Sequence, residues 1–456
     1  MQTVVLAAGR GTRMRPLTDR RPKPMLPVAD RPLLAHTLDV AVDDGASRFV
    51  IVVGYRDESV RKYVGDTYAG VPVTYVTQDE QRGTADAVRL AAGSLEDGPF
   101  VVLNGDALFD PDGISRLYRT GPAVACYRVD DPTQYGVLDV EDGVVSGVVE
   151  KPTDPPSDLV NAGAYQFPSA ARDWLDVPES ERGEHEITDV LEHAADAVDV
   201  RAVPLDDWLD VGRPWELLAA NEWKLATPNR STGTGVDHPH ADGPGDRNRA
   251  TTDRSRETSD RSRAADSVTD RTESIDRTGS GSSMARLDVE RNPIAGTVSE
   301  DATLRGPVVV EPGATIREGV TIEGPVLVRR GATVGPNAYL RGATLVGPDA
   351  RVGHAVEIKN SLLCSGATVG HLSYVGDSIL GRNVNLGAGT TVANLRHDDR
   401  PVELTVNGER VSTGRRKFGV VLGDEAKTAI DTALNAGVTL STGATTTPGE
   451  TVVRDR

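Results

Sequence analysis

Ala314-Thr315-Ile316-Arg317-Glu318-Gly319-Val320-Thr321-Ile322-Glu323-Gly324-Pro325-Val326-Leu327-Val328 carries an aliphatic residue at every sixth position (Ile316, Ile322, Val328). A small or apolar residue lies four places after each (Val320, Val326, Ala332), and Gly and Pro fall between them. Followed outward, the same beat runs from Val298 through Leu304, Val310, Val334, Leu340, Val346 and Val352 to Ile358, and Cys364 takes the twelfth place. Neither the 3.6-residue period of a helix nor the alternation of an ordinary strand produces a period of six. A solenoid of short strands joined by corners does. After single-residue slips the beat resumes at Val369 and Val375, then at Leu380, Leu386 and Val392. It is broken by the polar stretch Leu395–Gly419, expected to be a loop standing off the coil, and returns at Leu422, Thr428, Leu434, Leu440, Thr446 and Val452. The solenoid is expected over residues 284–456. By itself it is a shape, as suited to a scaffold or an oligomerisation module as to an enzyme.

Upstream the composition changes twice. Residues 228–283 are almost entirely Asp, Arg, Ser, Thr and Gly, with no aromatic and nearly balanced charge. Such a stretch cannot bury enough apolar surface to offset its chain entropy, so a disordered low-complexity linker is expected there. Residues 1–227 alternate strand-like runs (Thr3–Ala7, Phe49–Val53, Val73–Val76, Phe100–Leu103, Ala123–Tyr127) with helical patterns at Pro32–Val42 and Thr84–Leu95. That alternation predicts an α/β domain with a mostly parallel sheet.

The net charge of −18 argues against nonspecific nucleic-acid binding, which needs a basic surface to displace counterions. Seven lysines stand against 43 arginines, and an acidic, lysine-poor surface is that of a protein adapted to high salt; codon bias from a GC-rich genome is the plainer reading of the same numbers. Four of the seven lysines (Lys23, Lys151, Lys359, Lys417) fall in the motifs described next. No apolar run is long enough to span a bilayer, and the opening Met1–Gly9 is too short and too uncharged for a signal peptide. Cys126 and Cys364, far apart, suggest neither a disulfide framework nor a CxxC metal site. A cytoplasmic enzyme without membrane or nucleic-acid partners is expected.

Leu6-Ala7-Ala8-Gly9-Arg10-Gly11-Thr12-Arg13 puts glycines directly after the first strand, where backbone N–H groups can approach phosphate oxygens and Arg13 can face the same charge. It has the spacing of neither a Walker loop nor a dinucleotide fingerprint. It continues into Lys23-Pro24-Met25-Leu26-Pro27, and this composite closely resembles the sugar-nucleotide pyrophosphorylase superfamily. The resemblance implies that Leu6, Ala8, Gly9, Gly11, Thr12, Arg13, Lys23, Gln78, Gly83 and Thr84 bind the nucleotide. It implies that Gly136, Glu150, Lys151 and Asn161 bind the sugar phosphate. Asp106, in Asn104-Gly105-Asp106, and Asp210, in Trp208-Leu209-Asp210-Val211-Gly212, would hold Mg²⁺. Arg13 and Lys23 would be catalytic, neutralising charge on the phosphates.

Within the solenoid, Gly370-His371-Leu372-Ser373-Tyr374 and Asn383-Val384-Asn385-Leu386-Gly387, with Asn394, interrupt the repeat with polar residues. Together with Arg341, Glu357-Ile358-Lys359 and Lys417-Phe418 they resemble the acetyltransferase half of the bifunctional N-acetylglucosamine-1-phosphate uridylyltransferase/glucosamine-1-phosphate N-acetyltransferase family. By that resemblance His371 is the general base that deprotonates the sugar amine for attack on acetyl-CoA. Arg341, Lys359, Tyr374, Asn385, Asn394 and Lys417 would bind the substrates. The long Leu395–Gly419 interruption is similar to that of an archaeal subgroup, whose implied amino-sugar range extends toward galactosamine 1-phosphate. The implied fold is a Rossmann-like nucleotidyltransferase domain followed by a left-handed parallel β-helix. The implied substrates are sugar 1-phosphates, UTP and acetyl-CoA, and the implied assembly is a homotrimer or a multiple of three. Two readings stay open beside this one. One is a monofunctional UDP- or dTDP-glucose-type pyrophosphorylase with a structural solenoid; the other is a non-catalytic regulatory protein of the translation-initiation exchange-factor type.

Overall fold

The computed structural model describes residues 1–180, 183–226 and 293–456, so the linker expected at 228–283 lies outside the described residues. The N-terminal domain is built on a ten-stranded sheet. Gln2–Leu6 lies near its middle, parallel to Arg48–Val53 on one side and to Phe100–Asn104 on the other, and Val71–Thr77 continues the parallel set. Val4 and Val5 are both fully buried, one toward each face, which is why these strands read as continuous apolar runs rather than alternating ones. The helices Leu33–Asp43 and Thr84–Ala92 close opposite faces, within a residue or a few of the expected limits. The far half of the sheet departs from the parallel expectation. Leu159–Phe167 runs antiparallel to both Phe100–Asn104 and Ala123–Arg128, and Gly136–Glu141 with Val144–Glu150 form a hairpin at the edge. Antiparallel strands can be joined by short connections, as in this hairpin, where parallel ones need helical crossovers.

The C-terminal domain is the expected β-helix. Thr303 pairs with Thr321 and Thr321 with Tyr339, all parallel, and the same step recurs on three separate sheets. Three hexads therefore make one turn of the coil. Val310, Ile316, Ile322, Val328, Val334, Leu340, Val346, Val352 and Ile358 fill its interior. The twelfth place is a correction. Leu363, not Cys364, enters the interior, because Val346 pairs with Leu363 and the register has already slipped by one. Cys364 turns outward into a different apolar cluster, and both cysteines are buried and unpaired with each other.

That cluster joins the two domains. One sheet of the β-helix carries an outward row, Leu327, Leu345, Leu362, Ile379 and Val421, in register with one another. It packs with Met14, Leu17, Leu26, Trp215, Leu217 and Leu218 of the N-terminal domain. The Leu395–Gly419 segment is a second correction. It does not stand off the coil: it folds into a hairpin, Glu403–Val406 with Glu409–Ser412, whose Val402 and Leu404 are buried in the same cluster, as is the following Phe418. Polar contacts rim the interface. Arg20 pairs with Glu425 at 2.6 Å, Thr442 donates to Asp19 Oδ2 at 3.0 Å, and Arg329 donates to the Ala29 carbonyl at 3.3 Å. Through these contacts the two domains are docked on each other.

Candidate active sites

The N-terminal site is assembled at strand ends. Gly105 N–H donates to the Leu6 carbonyl at 2.9 Å, which sets Asp106 beside the end of the first strand. Trp208–Asp210 pairs antiparallel with Ala107–Phe109, and Val211 N–H donates to the Asp106 carbonyl, so the two aspartates become neighbours although 104 residues separate them. Gly11 has φ +62° and a Cβ there would stand 2.8 Å from Lys23 Cβ, so only glycine lets the loop close over the lysine. Lys23, buried, donates to Asp106 Oδ2 at 2.6 Å. Arg13 Nη2, Glu216 Oε2 and Asp210 Oδ2 lie 3.2, 3.3 and 3.4 Å from where a Gly212 Cβ would be, so three charged groups converge on a point that only glycine leaves open.

The electrostatics follow from this crowding. Burial opposes the charged form of Lys23, but Asp106 and Asp210 outweigh it and hold the ammonium above the usual lysine range. Burial raises the Asp210 carboxyl, with Lys23 and Arg13 opposing and Asp106 adding to the rise. Glu216, in the first turn of the helix Pro214–Ala226, accepts from Gly212 N–H at 2.7 Å and is pushed up to about 7 by burial and by Asp210. Sequence reasoning missed it. An acid in a first helical turn is ordinary, and only the fold brings this one to the aspartates.

Gly136, Glu150 and Asn161 also converge. A Cβ on Gly136 would stand 3.0 Å from Glu150 Oε2 and 3.7 Å from Asn161 Cβ. Lys151 is half-exposed, pairs with Glu150 at 3.3 Å, and sits at φ +46°. Tyr135 links this group to the aspartates, its ring edge-on to Trp208 with centroids 5.5 Å apart. The third predicted group is engaged with the protein itself. Gln78 donates to the Gly83 carbonyl at 3.1 Å and to Asp86 at 2.9 Å, and it lines a cavity of about 150 Å³ with Arg10, Tyr55 and Gln81. Thr84 accepts from Ile187 N–H at 3.0 Å, and Gly83 abuts His185, so these two residues hold the Glu184–Ile187 segment in place. Leu6, Ala8, Gly9 and Thr12 line the strand end and loop that carry Arg13, and a Cβ on Gly9 would meet no protein atom within 4 Å.

Two carboxylates suit Mg²⁺, which keeps several waters and is usually held by one or two carboxylates with substrate phosphates. Among the described residues no group of three or more His, Cys, Asp or Glu is arranged to hold a metal by itself. Asp106 and Asp210 are therefore a fit for such a phosphate-assisted site and not for a fully protein-ligated one.

On the β-helix, Asp377 is the hub. Its carboxylate, 4% exposed, accepts from Lys359 Nζ at 2.7 Å, Asn394 Nδ2 at 2.5 Å and Asn360 Nδ2 at 3.0 Å. Asn394 also donates to the Tyr374 hydroxyl at 3.2 Å. Three predicted residues, Lys359, Tyr374 and Asn394, are thus brought together. Arg341 lies one coil before Lys359 in the same ladder and donates twice to Glu357 Oε1, at 2.9 and 2.7 Å. His371 and Asn385 belong to the neighbouring sheet, both exposed. His371 lines a groove of about 480 Å³ with Arg317, Arg351 and His354, its ladder partner. Lys417 is exposed on the return from the hairpin. Asp377, Asn360 and His354 were not foreseen.

Residues 2–226 match the family described as Nucleotidyl transferase, and residues 322–442 match the GMPPB C-terminal domain. The bifunctional protein GlmU of Methanocaldococcus jannaschii is 34% identical over 443 residues, covering 96% of this chain and 91% of its own. The bifunctional sugar-1-phosphate nucleotidylyltransferase/acetyltransferase of Sulfurisphaera tokodaii is 30% identical, covering 100% of this chain and 98% of its own. The UTP–glucose-1-phosphate uridylyltransferase AglF of Haloferax volcanii is 40% identical over 227 residues, 47% of this chain and 92% of its own. With its nucleotidyltransferase site and β-helix site on one chain, and with relatives matching along nearly all of it, the protein belongs to the GlmU family of bifunctional sugar-1-phosphate nucleotidylyltransferase/acetyltransferases.

Proposed function

We propose that the β-helix domain acetylates glucosamine 1-phosphate with acetyl-CoA, and that the N-terminal domain transfers a uridylyl group from UTP to the resulting N-acetylglucosamine 1-phosphate, releasing pyrophosphate. The observation that carries this reading is the presence on one chain of both the Arg13, Lys23, Asp106 and Asp210 cluster and the gathering of Lys359, Tyr374 and Asn394 around Asp377. A purely regulatory protein has no use for the first, nor a monofunctional pyrophosphorylase for the second.

In uridylyl transfer a phosphate oxygen of the sugar 1-phosphate attacks the α-phosphorus of UTP in line, and the bond to the leaving pyrophosphate breaks. Negative charge builds on the phosphate oxygens, so catalysis is positioning and electrostatic stabilisation without a protein nucleophile. Arg13 and Lys23 offset that charge, and the loop at Gly9 and Gly11 offers N–H donors. Mg²⁺ on Asp106 and Asp210 would add Lewis-acid neutralisation of the phosphates. Gln78 reads the pyrimidine base in this scheme, while Gly136, Glu150, Lys151 and Asn161 take the sugar phosphate. In acetyl transfer His371 accepts a proton from the sugar amine, whose nitrogen attacks the thioester carbonyl as the CoA thiolate leaves. Arg341 and Lys359 face the sugar phosphate; Tyr374, Asn385, Asn394 and Lys417 hold the sugar and the cofactor edge. The assembly is a homotrimer or a multiple of three, and the acidic, lysine-poor surface serves solubility in high salt.

Incubation with glucosamine 1-phosphate, acetyl-CoA, UTP and Mg²⁺ should give UDP-N-acetylglucosamine, identified by mass. His371→Ala should remove acetylation while leaving uridylyl transfer to supplied N-acetylglucosamine 1-phosphate. Unchanged acetylation in that variant would exclude His371 as the base.

A further inference from the structure

The helix Pro214–Ala226 spans the distance between the two sites. Its first turn brings Glu216 to the aspartates of the nucleotidyltransferase site, and its last turns lie against the β-helix. There Glu222 is claimed entirely by residues of the other domain. Arg415 donates to both carboxylate oxygens, to Oε2 at 2.9 Å, and Asn360 Nδ2 donates to Oε1 at 2.6 Å. The same Asn360 nitrogen donates its second hydrogen to Asp377 Oδ1 at 3.0 Å. An amide nitrogen has two hydrogens, so Asn360 is fully committed: one to a carboxylate of each domain. Asp377 in turn holds Lys359 and Asn394, and Asn394 reaches the Tyr374 hydroxyl.

We propose that Glu222, although it belongs to the nucleotidyltransferase domain, is a positioning residue for the acetyltransferase site, acting through Asn360 on Asp377 and so on Lys359 and Asn394. The inference rests on the reading of Lys359, Tyr374 and Asn394 as substrate-binding groups. Asp377 is buried and takes three donors, and the position of its carboxylate fixes where the Lys359 ammonium and the Asn394 amide stand. Buried charged networks of this kind are coupled, so the loss of one donor's anchor shifts the rest. Without Glu222, Asn360 has lost the acceptor that orients it and Asp377 turns toward its remaining donors. Lys359 then meets a sugar phosphate from a displaced position. A binding defect is expected more than a chemical one, because His371 lies on a different sheet and is not in the chain of bonds.

The test is steady-state kinetics of both half-reactions on full-length variants. Glu222→Ala and Asn360→Ala should each raise the KM for glucosamine 1-phosphate about tenfold, the scale of one hydrogen bond to a charged group, with a smaller change in kcat. The double variant should be no worse than either single one, since both cut the same chain. Glu222→Gln, which keeps an oxygen for Asn360, should restore most of the KM. Arg415→Ala, which breaks the other half of the Glu222 contact, should leave it within about twofold. Uridylyl transfer should be unchanged in all five. An Arg415→Ala defect equal to that of Glu222→Ala would mean that only domain docking matters and would overturn the proposal. So would normal KM values in both Glu222→Ala and Asn360→Ala while Lys359→Ala abolishes acetylation. Normal acetylation in Lys359→Ala would instead bring down the reading of the site, and the inference with it.

Discussion

Glu216 stands where two aspartates, an arginine and a buried lysine already share a small volume, and its raised pKa is a statement about stability. Its carboxyl goes from about 4.5 in the unfolded chain to about 7 in the fold. Below the lower value both states are protonated and nothing is lost. As pH rises toward 7 the unfolded state ionises first, so stability falls across that window and stays low above it. Glu216→Gln keeps an oxygen for Gly212 N–H and removes the titration. In Mg²⁺-free buffer it should gain up to about 3 kcal/mol relative to wild type at pH 8, and almost nothing near pH 4.5, as read by denaturant unfolding of the N-terminal domain. A gain independent of pH would contradict the burial argument. Asp106, proposed as a metal ligand, is tested on activity instead: Asp106→Ala should lower uridylyl transfer at least about 100-fold with the fold retained, checked by pyrophosphate release and circular dichroism. Near-normal turnover at low Mg²⁺ would remove Asp106 from the metal site. Arg13, Asp106 and Asp210 were legible in the sequence because each lies within two residues of a glycine near a strand end, where side chains meet ligands and not core, and Lys23 through the resemblance carried by Lys23-Pro24-Met25-Leu26-Pro27. Glu216, Asp377 and Asn360 were not. Their neighbours are distant in the chain, and locally they look like a helix-start acid, a turn aspartate and a turn asparagine.

The β-helix shows the same division at the level of elements. One interior residue per hexad gave the coil directly, because every hexad repeats the same burial, whereas its turn of three hexads came from the strand pairing. The docking face needed a second, slower rhythm. On every third strand the residue just before the interior one is itself aliphatic: Leu327 before Val328, Leu345 before Val346, Leu362 before Leu363, Ile379 before Leu380 and Val421 before Leu422. A solenoid strand exposed to water alternates inward apolar with outward polar residues, so an aliphatic stripe repeating once per turn marks a covered side. The hairpin Glu403–Ser412 was hidden for a different reason. Its polar composition reads as loop, and its few apolar residues, Val402, Leu404 and Val406, are buried in a cluster that both domains build, which a local reading does not show. Since each domain has its own interior cluster, an interface change should undock without unfolding. Leu345→Ala should weaken docking by about 2–5 kcal/mol, and Leu345→Asp should abolish it. Small-angle scattering should then report an expanded chain while circular dichroism stays native; an unchanged scattering profile would mean the face contributes little.

For the molecule as a whole, docking changes what the connection between the domains is for. A linker reading alone predicts two independent enzymes on a tether. An apolar face rimmed by Arg20–Glu425, Asp19–Thr442 and Glu222–Arg415 contacts predicts one body whose halves hold each other after the chain is cut. The loop that follows Arg13 is part of that face: Pro16 lies against Gly423, and Leu17 is in the shared cluster, so the β-helix supports the Arg13 loop from behind. A protease site placed at Gly279-Ser280-Gly281, outside the described residues, should therefore release no free fragment. The two pieces should co-elute, with both activities kept, and the particle should remain the trimer proposed for residues 284–456, as measured by light scattering. The salt response separates the forces involved. Exposed ion pairs such as Arg20–Glu425 are screened within a few ångströms in molar salt, whereas burial of Leu327, Leu345 and Ile379 is not. Association of the cut pieces should accordingly survive molar KCl, and Leu345→Asp should separate them at any ionic strength. Pieces of the unsubstituted protein that part in high salt would show that the rim, and not the apolar row, holds the domains together.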